Sequence, residues 1–284
     1  MGGGKALSQP VSIICPYRNA ATFIPSLIAT VQQQTHEHWE LLLIDDCSAD
    51  AGPYLVDQAA SKDRRIRPLS VSMRSSGAPT GPWWPRNMGM SNAKHDLVAF
   101  LDVDDLWHPL KLQRQLSWHL GLRAALSVTA YAKFHKSTGA IIGWRVPPRV
   151  FDYSRLRLSN VVPMLSVLVD KSVLLGEFRP CPHEDYLFWL DILRANPTAR
   201  CIGIPELLAF YSVHPGNLTR SRWQMPFWTY QVYRSHGLGV LNSASALIPW
   251  AMLHLTDHLR SAHRPLSMGL ARLQSAVPPI SLAM

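Results

Sequence analysis

An α/β fold with a doubly wound, mostly parallel central sheet is the architecture this sequence predicts. Apolar runs of four to five β-favouring residues alternate with helix-length amphipathic segments through the first half of the chain. That is the pattern of strands covered on both faces and joined by crossover helices. Three of those runs break into polar clusters, Tyr17-Arg18-Asn19, Asp45-Asp46 and Asp102-x-Asp104. Ligands of open α/β sheets bind outside the carboxyl ends of the strands, where such clusters would collect. The chain of 284 residues, 47% hydrophobic, is long enough to bury the core that such a sheet needs.

Residues 11–15, Val-Ser-Ile-Ile-Cys, read as the first strand, stopped by Pro16. Residues 22–34 read as a helix with Phe23, Leu27, Ile28 and Val31 near one face and Thr22 or Asn19 able to cap it. A second strand over 41–44 ends in Asp45-Asp46-Cys47-Ser48. The second helix, over 53–62, tolerates Pro53 in its first turn. Residues 66–71 give a third strand, 85–93 a short helix and 97–101 a fourth strand. That strand breaks into Asp102, Asp104 and Asp105. Alternation along an extended chain would send Asp102 and Asp104 to one side, able to share a cation or a ribose hydroxyl. An isolated Asp-x-Asp is more often a solvated turn; three polar strand ends on one sheet edge favour a site.

Beyond it, residues 111–121 carry Leu112, Leu116 and Leu120 on one helical stripe. Residues 126–134 and 140–146 read as an antiparallel hairpin around a Ser-Thr-Gly turn, and 166–169 as a further short strand. Arg145, Arg149, Arg155 and Arg157 flank this region and suit either solvated surface or an anionic acceptor.

The net charge is +9, and no acidic residue falls between Glu206 and Asp257, so the excess lies in the last third. Around Trp223, Phe227, Trp228, Tyr230 and Tyr233 the chain is aromatic and studded with Arg220, Arg222 and Arg234. The following stretch, 235–256, lacks charge but is too rich in Gly, Ser, Asn, Pro and His for a good membrane-spanning helix. It reads either as a peripheral contact with an anionic inner leaflet or as a helix pair packing on the domain. The four cysteines have no CxxC spacing, which argues for a reducing compartment and against zinc. The first residues lack the apolar core of a signal peptide, so a cytoplasmic setting is expected.

No Gly-x-Gly-x-x-Gly follows the first strand and no phosphate-loop motif occurs, so neither a dinucleotide dehydrogenase nor a P-loop phosphotransferase is indicated. An acidic crevice would need a divalent cation to hold a phosphate, and hard oxygen ligands select magnesium or manganese. No recognised nucleic-acid module accompanies the basic charge.

Five motifs in order carry a family resemblance. They are Val11-Ser-Ile-Ile-Cys-Pro-Tyr-Arg-Asn19, Leu43-Ile-Asp-Asp-Cys-Ser-Ala-Asp50, Arg86-Asn-Met-Gly89, Phe100-Leu-Asp-Val-Asp-Asp-Leu-Trp-His-Pro-x-Lys111 and His183-Glu-Asp-Tyr-Leu-Phe-Trp189. The set resembles the family 2 glycosyltransferases over roughly residues 10–215. This implies a GT-A fold, a nucleotide-diphosphate sugar donor (a UDP-sugar first), Mn2+ or Mg2+, and inverting transfer to a glycan or lipid-linked acceptor in cell-surface polysaccharide synthesis.

By the same resemblance, Pro16, Tyr17, Arg18 and Asn19, with Asp45 or Asp46, line the base and ribose pocket. Arg86 and Asn87 hold the nucleotide or its phosphates, Asp102 reaches the ribose, and Asp104 ligates the metal. Asp105 either joins them or caps the next helix. Asp185 is the general base, with Glu184 as the alternative, and His214 reaches the diphosphate or the metal. Departures from the family pattern are Trp83-Trp84 before the Arg-Asn pair, Cys47 where Gly is common, and Ser212 where a basic residue is frequent. The organisation implied is a flexible 1–9, a nucleotide-sugar-binding half over 10–110, an acceptor and base half over 111–222, and a helical C-terminal extension over 223–284. Two other classes fit less of the pattern: a catalytically silent nucleotide-sugar binder and a basic nucleic-acid-binding protein.

Overall fold

The computed structural model describes residues 8–71, 81–214 and 224–262. Strands β1 (Val11–Tyr17), β2 (Trp39–Asp45), β3 (Ile66–Ser70) and β4 (Leu97–Phe100) alternate with helices α1 (Ile24–Gln32), α2 (Gly52–Lys62) and α3 (Trp83–Asn92). Then come β5 (Leu106–Trp107), α4 (Lys111–Gly121), β6 (Leu126–His135), β7 (Ile141–Arg145), β8 (Val150–Phe151) and α5 (Tyr153–Leu158). The described chain closes with β9 (Leu168–Asp170), α6 (Glu184–Ala195), β10 (Cys201–Val213), α7 (Met225–Ser235) and α8 (Val240–Ala262).

The strands form one sheet ordered β3-β2-β1-β4-β9-β6-β10-β5, with β7 beside β6 and β8 beside β10. Its first four strands are parallel, β6 and β10 are parallel to each other, and β9 enters antiparallel between β4 and β6. The sheet is therefore mixed. Side-chain alternation divides the apolar runs between two cores. Val11, Ile13, Cys15, Leu41 and Leu43 pack with α1 residues Leu27 and Val31 and α4 residues Leu112 and Leu116 on one face. Ile14, Leu42, Ile44, Val98 and Phe100 pack on the other with α6 residues Leu187, Phe188 and Trp189. Burial on both faces is why these strands read as continuous hydrophobic runs.

Pro16 does not stop β1. Its ring stands on the β4 side, since Ile14 two residues earlier accepts from Leu101 N–H. There β4 has already ended, pairing only as far as Ile14 with Phe100. A missing donor at position 16 therefore breaks no ladder bond. Neither Thr22 nor Asn19 caps α1; Phe23 occupies that position without a side-chain cap. Asn19 is committed elsewhere, its Oδ1 accepting from Ala49 N–H at 2.8 Å. Pro205-Glu206 interrupts the apolar pattern of β10. The chain accommodates them by register shifts between Ile204 and Leu207 and between Leu207 and Ala209.

The C-terminal helices pack on the domain through their first part. His236, fully buried, bridges Asp191 at 2.7 Å and the Tyr153 hydroxyl at 2.7 Å. Tyr233 donates to Arg157 O at 2.7 Å. Among the described residues no helix is long and apolar enough to cross a membrane. The expectations for Arg220, Arg222, Trp223 and residues 1–7 and 263–284 fall outside the described residues.

Candidate active site

The polar strand ends do collect at one edge of the sheet. After β1 the chain enters a left-handed turn at Asn19, and after β2 it enters another at Cys47, with φ of 48° and 57°. A positive φ at position 47 is the physical reason a glycine suits it, and Cys47 bears the modest strain instead. The two turns are laced together. Asn19 N–H donates to Ser48 Oγ at 2.9 Å, Asp46 N–H to Tyr17 O at 2.8 Å, and Ala21 N–H to Asp50 at 2.8 Å. Asp45 accepts from Ser48 N–H at 3.0 Å. Pro16, Tyr17, Arg18 and Asn19 thus stand beside Asp45 and Asp46, with Arg18 and Asn19 exposed and Asp46 buried. Burial and the neighbouring Asp45 push the Tyr17 phenol upward.

Past β4 the three acids separate. The chain turns at once, Asp105 N–H donating to Asp102 O at 3.1 Å, so strand alternation no longer sets their directions. The expectation that Asp102 and Asp104 lie on one face of an extended segment is corrected accordingly. Asp102 meets Arg86 Nη2 at 2.7 Å, and Asp104 meets His214 Nε2 at 2.9 Å. Asp105 neither caps α4, whose cap is Leu110, nor opens to solvent. It accepts from Ser212 N–H at 2.9 Å in full burial, which fixes β10 against the aspartate turn. Burial, then Asp104 and Asp102, push the Asp105 carboxyl well up; burial and Asp102 raise Asp104 against the pull of His214. Ser212, where a basic residue is frequent, is fully buried with its N–H held by Asp105.

Arg86, only 5% exposed at its side chain, is the junction of the site. Besides Asp102, it donates to Glu184 Oε1 at 2.5 Å, the first residue of α6. Burial works against its charge, but the Asp102 and Glu184 carboxylates outweigh that, and the guanidinium holds its proton more tightly than usual. Glu184 is itself pushed up, by burial ahead of the opposing Arg86. Asn87, expected to hold the nucleotide or its phosphates, is engaged by the Phe178 backbone. Its amide grips the Phe178 backbone at both ends, at 2.9 and 2.7 Å, because a primary amide matches a peptide group in both donor and acceptor. Gly89 explains the end of the Arg-Asn-x-Gly motif. Any Cβ there would collide with Ile14 and stand 3.2 Å from Ile44, so glycine lets α3 press onto β1 and β2. Trp83 packs against the core, while Trp84 is half exposed beside it at 5.6 Å between ring centroids.

Asp185 follows Glu184 in the first turn of α6, half-buried, with Asn160 donating to it at 3.3 Å. Its neighbours Tyr186, Phe188 and Trp189 point into the core. Three participants carried no functional signal in the sequence: Asn160, and at the opposite rim Phe23, read only as an apolar helix-face residue, and Lys136. The Phe23 ring lies 5.1 Å from the His214 ring, and the Lys136 ammonium sits 3.0 Å from the Phe23 centroid. These residues come from segments brought together only by the sheet. Among the described residues no cluster of three or more His, Cys, Asp or Glu is arranged to hold a metal by itself.

Comparison with known proteins bears on the family and the fold. The family model "Glycosyl transferase family 2" matches residues 12–160. A curated relative from Escherichia coli, the UDP-Glc:alpha-D-GlcNAc-diphosphoundecaprenol beta-1,3-glucosyltransferase WfgD, is 33% identical over 187 residues, covering 66% of this chain and 70% of that protein. The structure of S. aureus TarS 1-349 in complex with UDP-GlcNAc superposes with a TM-score of 0.64 at 17% identity, covering 87% of this chain and 73% of that one. The mannosyltransferase PcManGT from Pyrobaculum calidifontis, in complex with GDP-Man and Mn2+, gives 0.61 at 16% identity, covering 94% and 80%. The chain belongs to glycosyl transferase family 2, and it is a nucleotide-sugar-dependent glycosyltransferase of the GT-A fold.

Proposed function

We propose that this enzyme moves a sugar, with inversion, from a UDP-linked donor to a hydroxyl of a lipid-diphosphate-linked glycan, in cell-surface polysaccharide synthesis. The observation that carries the reading is the Arg86 bridge, which ties the aspartate turn after β4 to the start of α6. It sets a donor crevice on one side and a carboxylate for the acceptor on the other. The donor base and acceptor class are those in the name of the relative WfgD. In this reading Pro16, Tyr17, Arg18, Asn19, Asp45 and Asp46 surround the base and ribose. Asp102, 36% exposed beyond its Arg86 contact, turns its remaining oxygen to the ribose.

Asp185 is the general base. Glu184 is engaged by Arg86, whereas Asp185 receives only a weak contact from Asn160 and keeps lone pairs for the acceptor proton. Inverting displacement needs one such base opposite the leaving group. Asp104 and His214 are the residues that would hold Mn2+ or Mg2+. Two protein ligands completed by donor phosphates suit a hard cation of this kind, and no all-protein cage accompanies them among the described residues. When bound, the cation would neutralise charge developing on the departing diphosphate.

A peripheral membrane contact completes the reading. Leu241, Ile248 and Met252 are exposed on α8 at spacings that share one face, and Phe227 on α7 is exposed as well. Such a face would bring the site to a lipid-anchored acceptor at the inner leaflet.

The test is a thermal-shift panel of UDP, GDP and dTDP with and without Mn2+, followed by turnover of the matching nucleotide-sugars with a lipid-diphosphate acceptor. The expected result is a metal-enhanced shift with a uridine nucleotide, by about 2.7 kcal/mol at a hundredfold excess over Kd, and transfer only to the lipid-linked acceptor. Binding without transfer or donor hydrolysis would favour a silent binder, and no shift with any nucleotide would sink the donor reading.

A further inference from the structure

We infer that Lys136 is a donor-binding residue that grips the diphosphate from the rim opposite Arg86. This inference rests on the donor reading above. Strands β6 and β10 run parallel, with His135 paired to Val213. The next residue of each strand therefore emerges at the same edge of the sheet, and those residues are Lys136 and His214. The backbone keeps the two together past the ladder, Lys136 N–H donating to Val213 O at 3.1 Å. Phe23, at the cap of α1, forms the floor between them, 3.0 Å under the Lys136 ammonium and 5.1 Å from the His214 ring.

Lys136 is the cation of this rim that makes no ion pair among the described residues. Arg86 is shared by Asp102 and Glu184, Asp104 faces His214, and Asp105 is sealed in the interior on Ser212 N–H. Among the described residues the Lys136 ammonium donates to no carboxylate or carbonyl; the face of Phe23 is its contact. Partial burial at that place makes the ammonium easier to deprotonate than usual, although Asp104 works in the opposite sense. A half-buried ammonium resting on an aromatic face gives up part of its hydration. An anion placed beside the ammonium would restore that loss. The ligand chemistry that fits is a diphosphate entering between His214 and the aspartate turn, whose negative charge the ammonium would meet. Phe23 then acts as a positioning residue that keeps the ammonium over the crevice rather than in solvent.

The experiment is isothermal titration of wild type, K136M and K136R with UDP, UMP and uridine, each with and without Mn2+. Loss of one charge-assisted contact to phosphate corresponds to roughly a ten- to hundredfold weakening. K136M is expected to lose that factor for UDP, to bind UMP and uridine as wild type does, and so to compress the UDP-to-UMP affinity ratio. K136R should recover most of it. Unaltered uridine binding in K136M also shows that the variant is folded. Wild-type binding of UDP with an unchanged UDP-to-UMP ratio in K136M would overturn the role of Lys136 alone. Failure of wild type to bind UDP would overturn the donor reading and this role with it.

Discussion

Arg86 of α3 and Glu184 of α6 lie 98 residues apart and meet at 2.5 Å through Nη1, while Nη2 holds Asp102. One buried cation thus joins two carboxylates from two separate segments. Removing it would leave Glu184, 14% exposed, facing Asp102 without a counter-charge. R86M is expected to destabilise the fold by about 3 kcal/mol, the lower end for a broken buried pair because Asp102 reaches water. R86K should recover part of this, since an ammonium cannot serve both carboxylates in a fixed fork. Urea unfolding measures it; a loss under about 1 kcal/mol would show that the bridge does not hold the two halves of the site.

Glu184 and Asp185 are adjacent, yet their surroundings divide the labour. D185N is expected to lower kcat by about 10²- to 10⁴-fold with nucleotide affinity unchanged. E184Q should instead reduce stability and leave kcat within about tenfold of wild type, because it weakens the Arg86 contact rather than proton transfer. Steady-state kinetics with nucleotide titration separates the two. A D185N enzyme that turns over at near wild-type rate would remove Asp185 as the base.

Lys111 is fully buried, its ammonium 3.7 Å from the Trp107 ring centroid and 3.4 Å from Val167 O. Burial pulls its pKa well below the ordinary lysine value of 10.5. Between the folded and unfolded values the unfolded chain binds the proton and the folded chain does not. Wild-type stability therefore gains from this residue as pH rises towards 10.5, by at most about 1.4 kcal/mol per pH unit. K111M is expected to be more stable than wild type at neutral pH, with the difference shrinking as pH increases. Urea midpoints between pH 7 and 9.5 test this; a difference independent of pH would contradict it.

Gly89 marks the closest approach of α3 to the sheet. G89A would force a methyl against Ile14 and Ile44 on two central strands. Overpacking of this kind costs about 1–3 kcal/mol. A fall in Tm of about 2–5 °C is expected, with weaker donor binding because Arg86 moves with the helix. An unchanged Tm would mean that α3 can shift freely, against the packing described.

The sequence by itself determined the strand–helix rhythm, the parallel first half, and the polar clusters at the ends of β1, β2 and β4. These are legible because apolar runs and helical spacing are local properties of the chain. It also marked Glu184 and Asp185 as a site pair, through motif order rather than through any physical difference between them. Tertiary structure alone decided which partner each acid takes. The turn after β4 abolished the strand alternation that had put Asp102 with Asp104, and sent them to Arg86 and His214 respectively. Asn87 went to the Phe178 backbone, and Asp105 went to Ser212. Lys136 and Phe23 joined the rim because β6, β10 and α1 converge there, on segments whose sequence carries no mark of it. The physical reason is range: periodicity and propensity act over a few residues, whereas ion pairs and hydrogen bonds are chosen among whatever groups the sheet order brings within about 3 Å.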